Sequence, residues 1–230
     1  MTLDANAEPR PAANTDALSE RIVRVLEQDI VFGRLKPGQK LPEEELAERF
    51  SASRHQVREG LAKLARIGIV AKERNKGAAV RSFTSDEVRQ IYEVREILQR
   101  QAALQIPLPV EQKVIEALQT IHREYDRAVS AGDLRGIHEA NDRFHTELFR
   151  LCGNEVLVQL VKHYMDLTYA IRANAFSDLE ILETSRRHHE LMIRLLSGRD
   201  SWALAQICVD HMQPSKAQYL AFLGEQRVAD

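Results

Sequence analysis

Beyond Ser85 the only apolar periodicity in this chain is helical. Apolar residues recur at three- and four-residue spacings across 86–105, 110–131, 134–152, 155–175, 179–197 and 201–222. The breaks between these segments are short. They carry Pro107 and Pro109, Gly132-Asp133, Gly153-Asn154, Ser177-Asp178 and Gly198-Arg199-Asp200. Six helices joined so tightly have to pack as antiparallel neighbours, which predicts an all-helical bundle. A composition of 44% hydrophobic and 29% charged residues supplies enough apolar surface for a real core.

The first third of the chain reads differently. Leu18, Ile22, Val25, Leu26 and Ile30 form one apolar stripe, so a helix is expected from about Asp16 to Gly33. Leu35-Lys36-Pro37-Gly38 is a turn. Pro42 opens a second helix whose first turn, Glu43 to Glu45, suits the helix dipole. Ser51 to Ser53 are a polar break, and Ser53 is a good N-cap for a third helix over 54–67. Val57, Leu61 and Leu64 anchor one face of that helix, which leaves Arg54, His55, Gln56 and Arg58 outward at its start. Two β-prone runs, Ile69-Val70-Ala71 and Ala79-Val80-Arg81, flank the basic turn that contains Arg74, Lys76 and Gly77. The expected class is mostly α. A winged helix-turn-helix, three helices plus a two-stranded wing over 15–82, precedes a bundle over 86–223. A disordered tail is expected at 1–14 and a further tail at 224–230.

Charge sharpens this picture. The net charge is only −2, yet the stretch from Arg49 to Arg81 holds nine basic groups against Glu59 and Glu73. A local basic face on a neutral protein suits a DNA-reading module joined to a second domain. The second helix of such a pair enters the major groove by its N-terminal end. Arg54 and Arg58 can each donate two hydrogen bonds to guanine, and Gln56 can pair with adenine or bond a phosphate. Ser53 and the free N–H groups beside it suit a phosphate. Arg74 and Lys76 on the wing reach the minor groove or the backbone. Singly, each arginine reads equally as a solvated surface charge; clustered after a tight turn, they read as DNA contacts.

No apolar run approaches the ~20 residues of a membrane span. The segment from Met1 to Asn14 lacks the basic-then-apolar order of a secretion signal. Cys152 and Cys208 each sit in an apolar helical pattern and read as buried thiols of a cytoplasmic protein.

His145, His189 and His211 lie on different predicted helices. Asn141 shares a face with His145, four residues away. Imidazoles from facing helices can hold a divalent cation in a bundle core; the alternative is three ordinary core or surface histidines.

Several stretches together resemble the GntR family of bacterial regulators. They are Leu35-Lys36-Pro37-Gly38, Leu41, Glu45-Leu46-Ala47-Glu48-Arg49-Phe50, Ser53 through Leu61, Leu64, Gly68-Ile69-Val70 and Gly77. The helical remainder resembles the FCD effector domain of its FadR subfamily. His55 and Gln56 stand where the family usually has Thr-Pro, and Gly60 stands for Ala. Glu44 stands where many members carry an arginine that helps read the operator. The resemblance implies a dimeric regulator, usually a repressor, on a palindromic operator. It also implies a small carboxylate effector bound with a metal on His145, His189, His211 and Asn141. Asn141 occupies a position that is usually Asp. Imidazoles suit zinc or nickel, and a site with water tolerates manganese. Arg95 matches an arginine that faces the ligand cavity, and Arg143 lies near the histidines in sequence; either can instead form an ion pair with Glu96 or Glu139. The rivals are a metal-dependent hydrolase built on the three histidines and a DNA-architectural protein without an effector. Against the hydrolase, the sequence has no His-Glu-x-x-His motif.

Overall fold

The structure, a computed structural model, describes residues 13–73, 77–173, 175 and 177–229. Three helices, α1 (Ala13–Val31), α2 (Glu43–Phe50) and α3 (Arg54–Arg66), are followed by strands β1 (Val70–Glu73) and β2 (Gly77–Val80). The strands pair antiparallel, with Val70 opposite Val80 and Glu73 opposite Gly77. The chain before α2 lies along the ribbon: Leu41 N–H donates to Ala78 carbonyl at 2.8 Å. Ile22, Leu26, Val57, Leu61, Leu64 and Ile69 are fully buried and hold the three helices together. This is the expected winged helix-turn-helix.

Eight further helices complete the chain among the described residues: α4 (Ser85–Leu104), α5 (Gln112–Ala131), α6 (Leu134–Arg150), α7 (Glu155–Leu167), α8 (Tyr169–Ala173), α9 (Leu179–Leu195), α10 (Ser201–Asp210) and α11 (Gln213–Ala229). Helix α4 packs on α7 and α10, while α5 packs on α6 and α9. Phe144, Leu148, Phe149, Met192, Leu196 and Leu204 fill the bundle interior.

Two predicted helices are broken. The expected helix over 155–175 divides at Thr168, whose hydroxyl donates to the carbonyl of Tyr164 at 2.8 Å and so competes with the backbone ladder. The expected helix over 201–222 stops at Asp210. Pro214, four residues on, has no N–H to donate, and its ring crowds the Asp210 carbonyl. Helix α11 runs on through Gly224 to Ala229, into the segment expected to be a tail. Ala13 and Asn14 belong to α1; the rest of the expected first tail lies outside the described residues.

The two halves share a core. Tyr169, Ala170 and Ile171 of α8, with Met212 and Tyr219, are buried in the same apolar cluster as Ile22, Leu26 and Leu61. The Phe83 and Tyr219 rings meet edge-to-face at 6.5 Å. Gly68 explains how close the approach is. Its φ is +86°, and a Cβ there would lie 2.5 Å from the carbonyl oxygen of Asp166 at the end of α7. Only glycine tolerates both conditions.

Candidate nucleic-acid interface and metal centre

Helix α3 starts with a capping box. Ser53 Oγ accepts from the Gln56 backbone N–H at 3.3 Å, and Gln56 Oε1 accepts from the Ser53 N–H at 2.9 Å. The Gln56 oxygen is therefore occupied locally, which leaves its NH2 as the group able to reach DNA. Val57, Leu61 and Leu64 are fully buried, and Ser53, Arg54, His55 and Arg58 are exposed at the helix start. Both arginines are held from α2: Arg54 pairs with Glu44, and Arg58 Nε donates to Glu43 Oε2 at 2.6 Å. Glu43 was absent from the sequence reading as a partner. Gly77 is exposed at the start of β2. Arg74 and Lys76 lie outside the described residues. Lys63 is turned toward α1 and its own helix; its ammonium sits 3.1 Å from Glu20 and 3.0 Å from Glu59.

The three histidines meet inside the bundle. His145 comes from α6, His189 from α9, and His211 from the C-cap of α10. Nε2 of His145 stands 2.9 Å from Nε2 of His211 and 3.3 Å from Nε2 of His189. A tetrahedral site with roughly 2.0–2.1 Å bonds sets its nitrogens about 3.3 Å apart, so the donor set suits such an ion. Burial pushes the His145 imidazole down to about 3 and drives His189 and His211 well below the usual range. Neutral rings keep the lone pairs a metal needs. The three Nδ1 atoms are buried without a hydrogen-bond partner. Buried polar atoms left without partners call for an explanation, of which a bound ion or water is one.

Asn141 is buried on the same face of α6, and its amide nitrogen donates to Asp142 at 3.2 Å. The atom it can offer an ion is thus its carbonyl oxygen. Asn141, Arg172, His211 and Ser215 line two adjoining cavities of about 30 and 40 Å³. A water needs roughly 10–15 Å³ on this scale, so each cavity has room for more than one water-sized group.

Arg95 lines this space with His145 and is 4% exposed. Its Nη1 donates to Thr168 Oγ1 at 2.9 Å, its Nε has no partner, and burial pulls it down to about 10. Arg143 does not belong here. It is exposed, pairs with Glu124, and lines a surface groove between α5 and α6. Two positions before His145, it points away from the helix face that carries the histidine.

The arginine that sequence reasoning missed is Arg172. It is 7% exposed and donates to Asp142 Oδ1 at 2.8 Å, to Asp142 Oδ2 at 3.4 Å and to the Met165 carbonyl at 3.0 Å. Asp142 is therefore a counter-ion of Arg172. The available signal was a lone arginine inside the run from Leu167 to Ala175, otherwise mostly apolar.

Among the described residues no helix is long and apolar enough to cross a membrane. Residues 18–80 match the family of bacterial regulatory proteins called gntR, and residues 90–214 match the FCD domain. The chain is 26% identical to the transcriptional repressor RspR of Escherichia coli K12 over 217 residues, 93% of this chain and 91% of that one. It is 27% identical to the Nta operon transcriptional regulator of Aminobacter aminovorans over 190 residues, 82% and 88% of the two chains. A crystal structure of a putative GntR regulator from Rhodococcus sp. RHA1 has the same fold, with TM-score 0.59 and 20% identity across 89% of this chain and 98% of that one. These relatives are transcriptional regulators, not enzymes, and nothing among them supports the hydrolase alternative. By both matched domains and by its winged-helix and helical-bundle architecture, the chain is a transcriptional regulator of the GntR family with a C-terminal FCD domain.

Proposed function

We propose that this regulator is a repressor of the FadR subfamily, released from DNA by a small carboxylate that binds beside a divalent metal in the FCD cavity. One observation carries this reading: two imidazoles of the three-histidine donor set, those of His145 and His211, border the same small space as two buried arginines, Arg95 and Arg172. Arginine pairs with carboxylate through two parallel hydrogen bonds. A divalent cation such as zinc, nickel or manganese, held by His145, His189, His211 and Asn141, supplies positive charge and open coordination positions for the acid. The residues of the chain do the rest: the imidazoles stay neutral, the arginines orient the anion, and Met165 and Met212 exclude water. The repressor assignment draws on the named role of RspR.

On the DNA side, a homodimer places two copies of α3 in successive major grooves of a palindromic operator. Arg54 and Arg58 read bases, Ser53, His55 and the Gln56 NH2 hold the backbone, and the wing with Arg74, Lys76 and Gly77 grips the adjoining groove. The test is direct. Duplexes selected from a random pool by the protein give the operator, and fluorescence anisotropy then follows its release as zinc and a library of small carboxylates are added. Release by one acid in the presence of metal supports the reading. A library that neither shifts the melting temperature nor moves operator affinity, with metal or without, ends it.

A further inference from the structure

Helix α8 belongs to two sites at once. Arg172 lines the histidine cavity, while Tyr169, one turn earlier, is fully buried against the DNA-binding domain. The Tyr169 hydroxyl donates to the carboxyl of Glu27, which is 3% exposed near the end of α1. That bond joins residues 142 apart in sequence.

A closed ring of contacts stiffens the connection. Arg172 is clamped by Asp142 at 2.8 Å. Asp142 Oδ2 lies 3.6 Å from His138 Nε2, one turn earlier on α6. The His138 ring stacks on Tyr169 with centroids 3.6 Å apart and planes 24° from parallel. Thus Arg172, Asp142, His138 and Tyr169 close through the backbone of α8, and Glu27 ties that ring to α1. Above it a cavity of about 300 Å³, bordered by Glu27, Lys63, Arg66 and His138, separates α1 and α3 from α6. Arg135 of α6 and Glu20 of α1 also border that cavity and pair across it at 3.0 Å.

We propose that α8 is the coupling element of this regulator, with Arg172 and Asp142 as its cavity end and Tyr169 and Glu27 as its DNA-domain end. An anion in the cavity competes with Asp142 for the Arg172 guanidinium. Freed of that clamp, α8 turns, and the Tyr169–Glu27 bond that orients α1 is weakened. Because α1 packs on α3, the reading helix moves with it. The anion acts only because it binds one arrangement better than the other. Asp142, Tyr169 and Glu27 are positioning residues, acting through Arg172 and α1, while Arg172 itself meets the anion. The proposal rests on the cavity being a ligand site, but its test needs no ligand.

Tyr169→Phe keeps the stacked ring and removes only the hydroxyl, and Glu27→Gln keeps the shape of its partner. Arg172→Met removes the cavity clamp, and Arg172→Lys does so more gently should the first variant fold poorly. Full-length variants are compared on the selected operator without effector. Tyr169→Phe is expected to weaken binding about tenfold, inside the roughly 5–150-fold range of allosteric coupling. In that background either Arg172 variant should add less than about twofold, although alone it weakens binding by a similar factor. Hydrogen exchange on DNA-free protein gives a second reading. The Arg172 variants should speed exchange of α1 amides around Glu27 relative to those of α5, a selectivity that general destabilisation does not produce. Additive effects on operator binding, no effect of either single variant, or equal acceleration in α1 and α5 each overturn the proposal. A wild-type protein that binds its operator but ignores every carboxylate would instead count against the ligand reading alone.

Discussion

A Cβ placed on Gly60 of α3 would lie 2.9 Å from Cγ2 of Ile22 on α1 and 3.3 Å from its Cβ. The GntR pattern has alanine at this position, and the close approach of α1 explains why this chain does not. Ile22 is fully buried and β-branched, so it cannot swing aside. Gly60→Ala should therefore destabilise the protein. Overpacking costs about 1–3 kcal/mol, and the better helix propensity of alanine returns about 1. A net loss of about 1 kcal/mol is expected in urea denaturation, and a variant more stable than the parent would contradict the packing described here.

Glu44 and Glu43 pair with Arg54 and Arg58, the arginines proposed to read DNA, and must be displaced for a phosphate to bind there. Arg54→Ala or Arg58→Ala should remove operator selectivity while leaving the melting temperature within a degree or two, because both side chains are exposed. Glu44→Gln should act oppositely. It frees Arg54 and removes an anion from the DNA face, so binding to random duplex should tighten about fivefold, as expected for a surface charge pair worth up to about 1 kcal/mol. Affinity measured against salt separates the effects, since each new phosphate contact steepens the slope by about 0.9. Unchanged operator binding in both arginine variants would remove α3 as the reading helix.

His189 is completely buried between His145 and the aromatic ring of Phe144, 4.3 Å away centroid to centroid. His189→Ala should lower the metal content of purified protein, and elemental analysis decides the point. Asn141→Asp should raise it, because a carboxylate oxygen adds a negative charge to an otherwise neutral donor set. A gain of at least about tenfold in zinc affinity is expected, comparable to the 10–100-fold reach of supporting groups around metal ligands. Metal absent from the parent and from both variants would dismiss the centre.

Burial holds His138 down at about 4, despite Asp142 nearby, so the folded protein takes up a proton there less readily than the unfolded chain. Stability from this group is full above about pH 6.5 and is lost as pH falls toward 4, at about 1.4 kcal/mol per pH unit. The three cavity histidines act in the same sense. Glu27 works in the opposite direction. Burial raises its carboxyl above the usual range, so its contribution is present in acid and is lost as pH rises through the raised value. Five lowered histidines, His188 among them, outweigh one raised carboxyl, and metal-free protein should lose melting temperature steadily below about pH 6.5. His138→Gln should flatten that acid limb by about one proton; an unchanged slope would place the titration elsewhere.

The amino-acid sequence by itself determined the class of architecture, a winged helix-turn-helix followed by a helical bundle. Period-3.6 stripes, proline and glycine breaks and one pair of β-prone runs specify local structure, and local structure depends on neighbours a few residues away. It also brought out the exposed start of α3, because Val57, Leu61 and Leu64 force Arg54 and Arg58 outward. The meeting of His145, His189 and His211 needed the bundle to close, since each reaches the others only across packed helices. Tertiary structure likewise sent Arg143 to the surface, brought Arg172 inside and joined Glu27 to Tyr169. Those outcomes depend on the rotation of each helix about its own axis and on where α7 and α10 end. A side-chain oxygen at Thr168 and a missing N–H at Pro214 decide those ends, and their weight against the helical stripe is settled only by what the freed segments can pack upon.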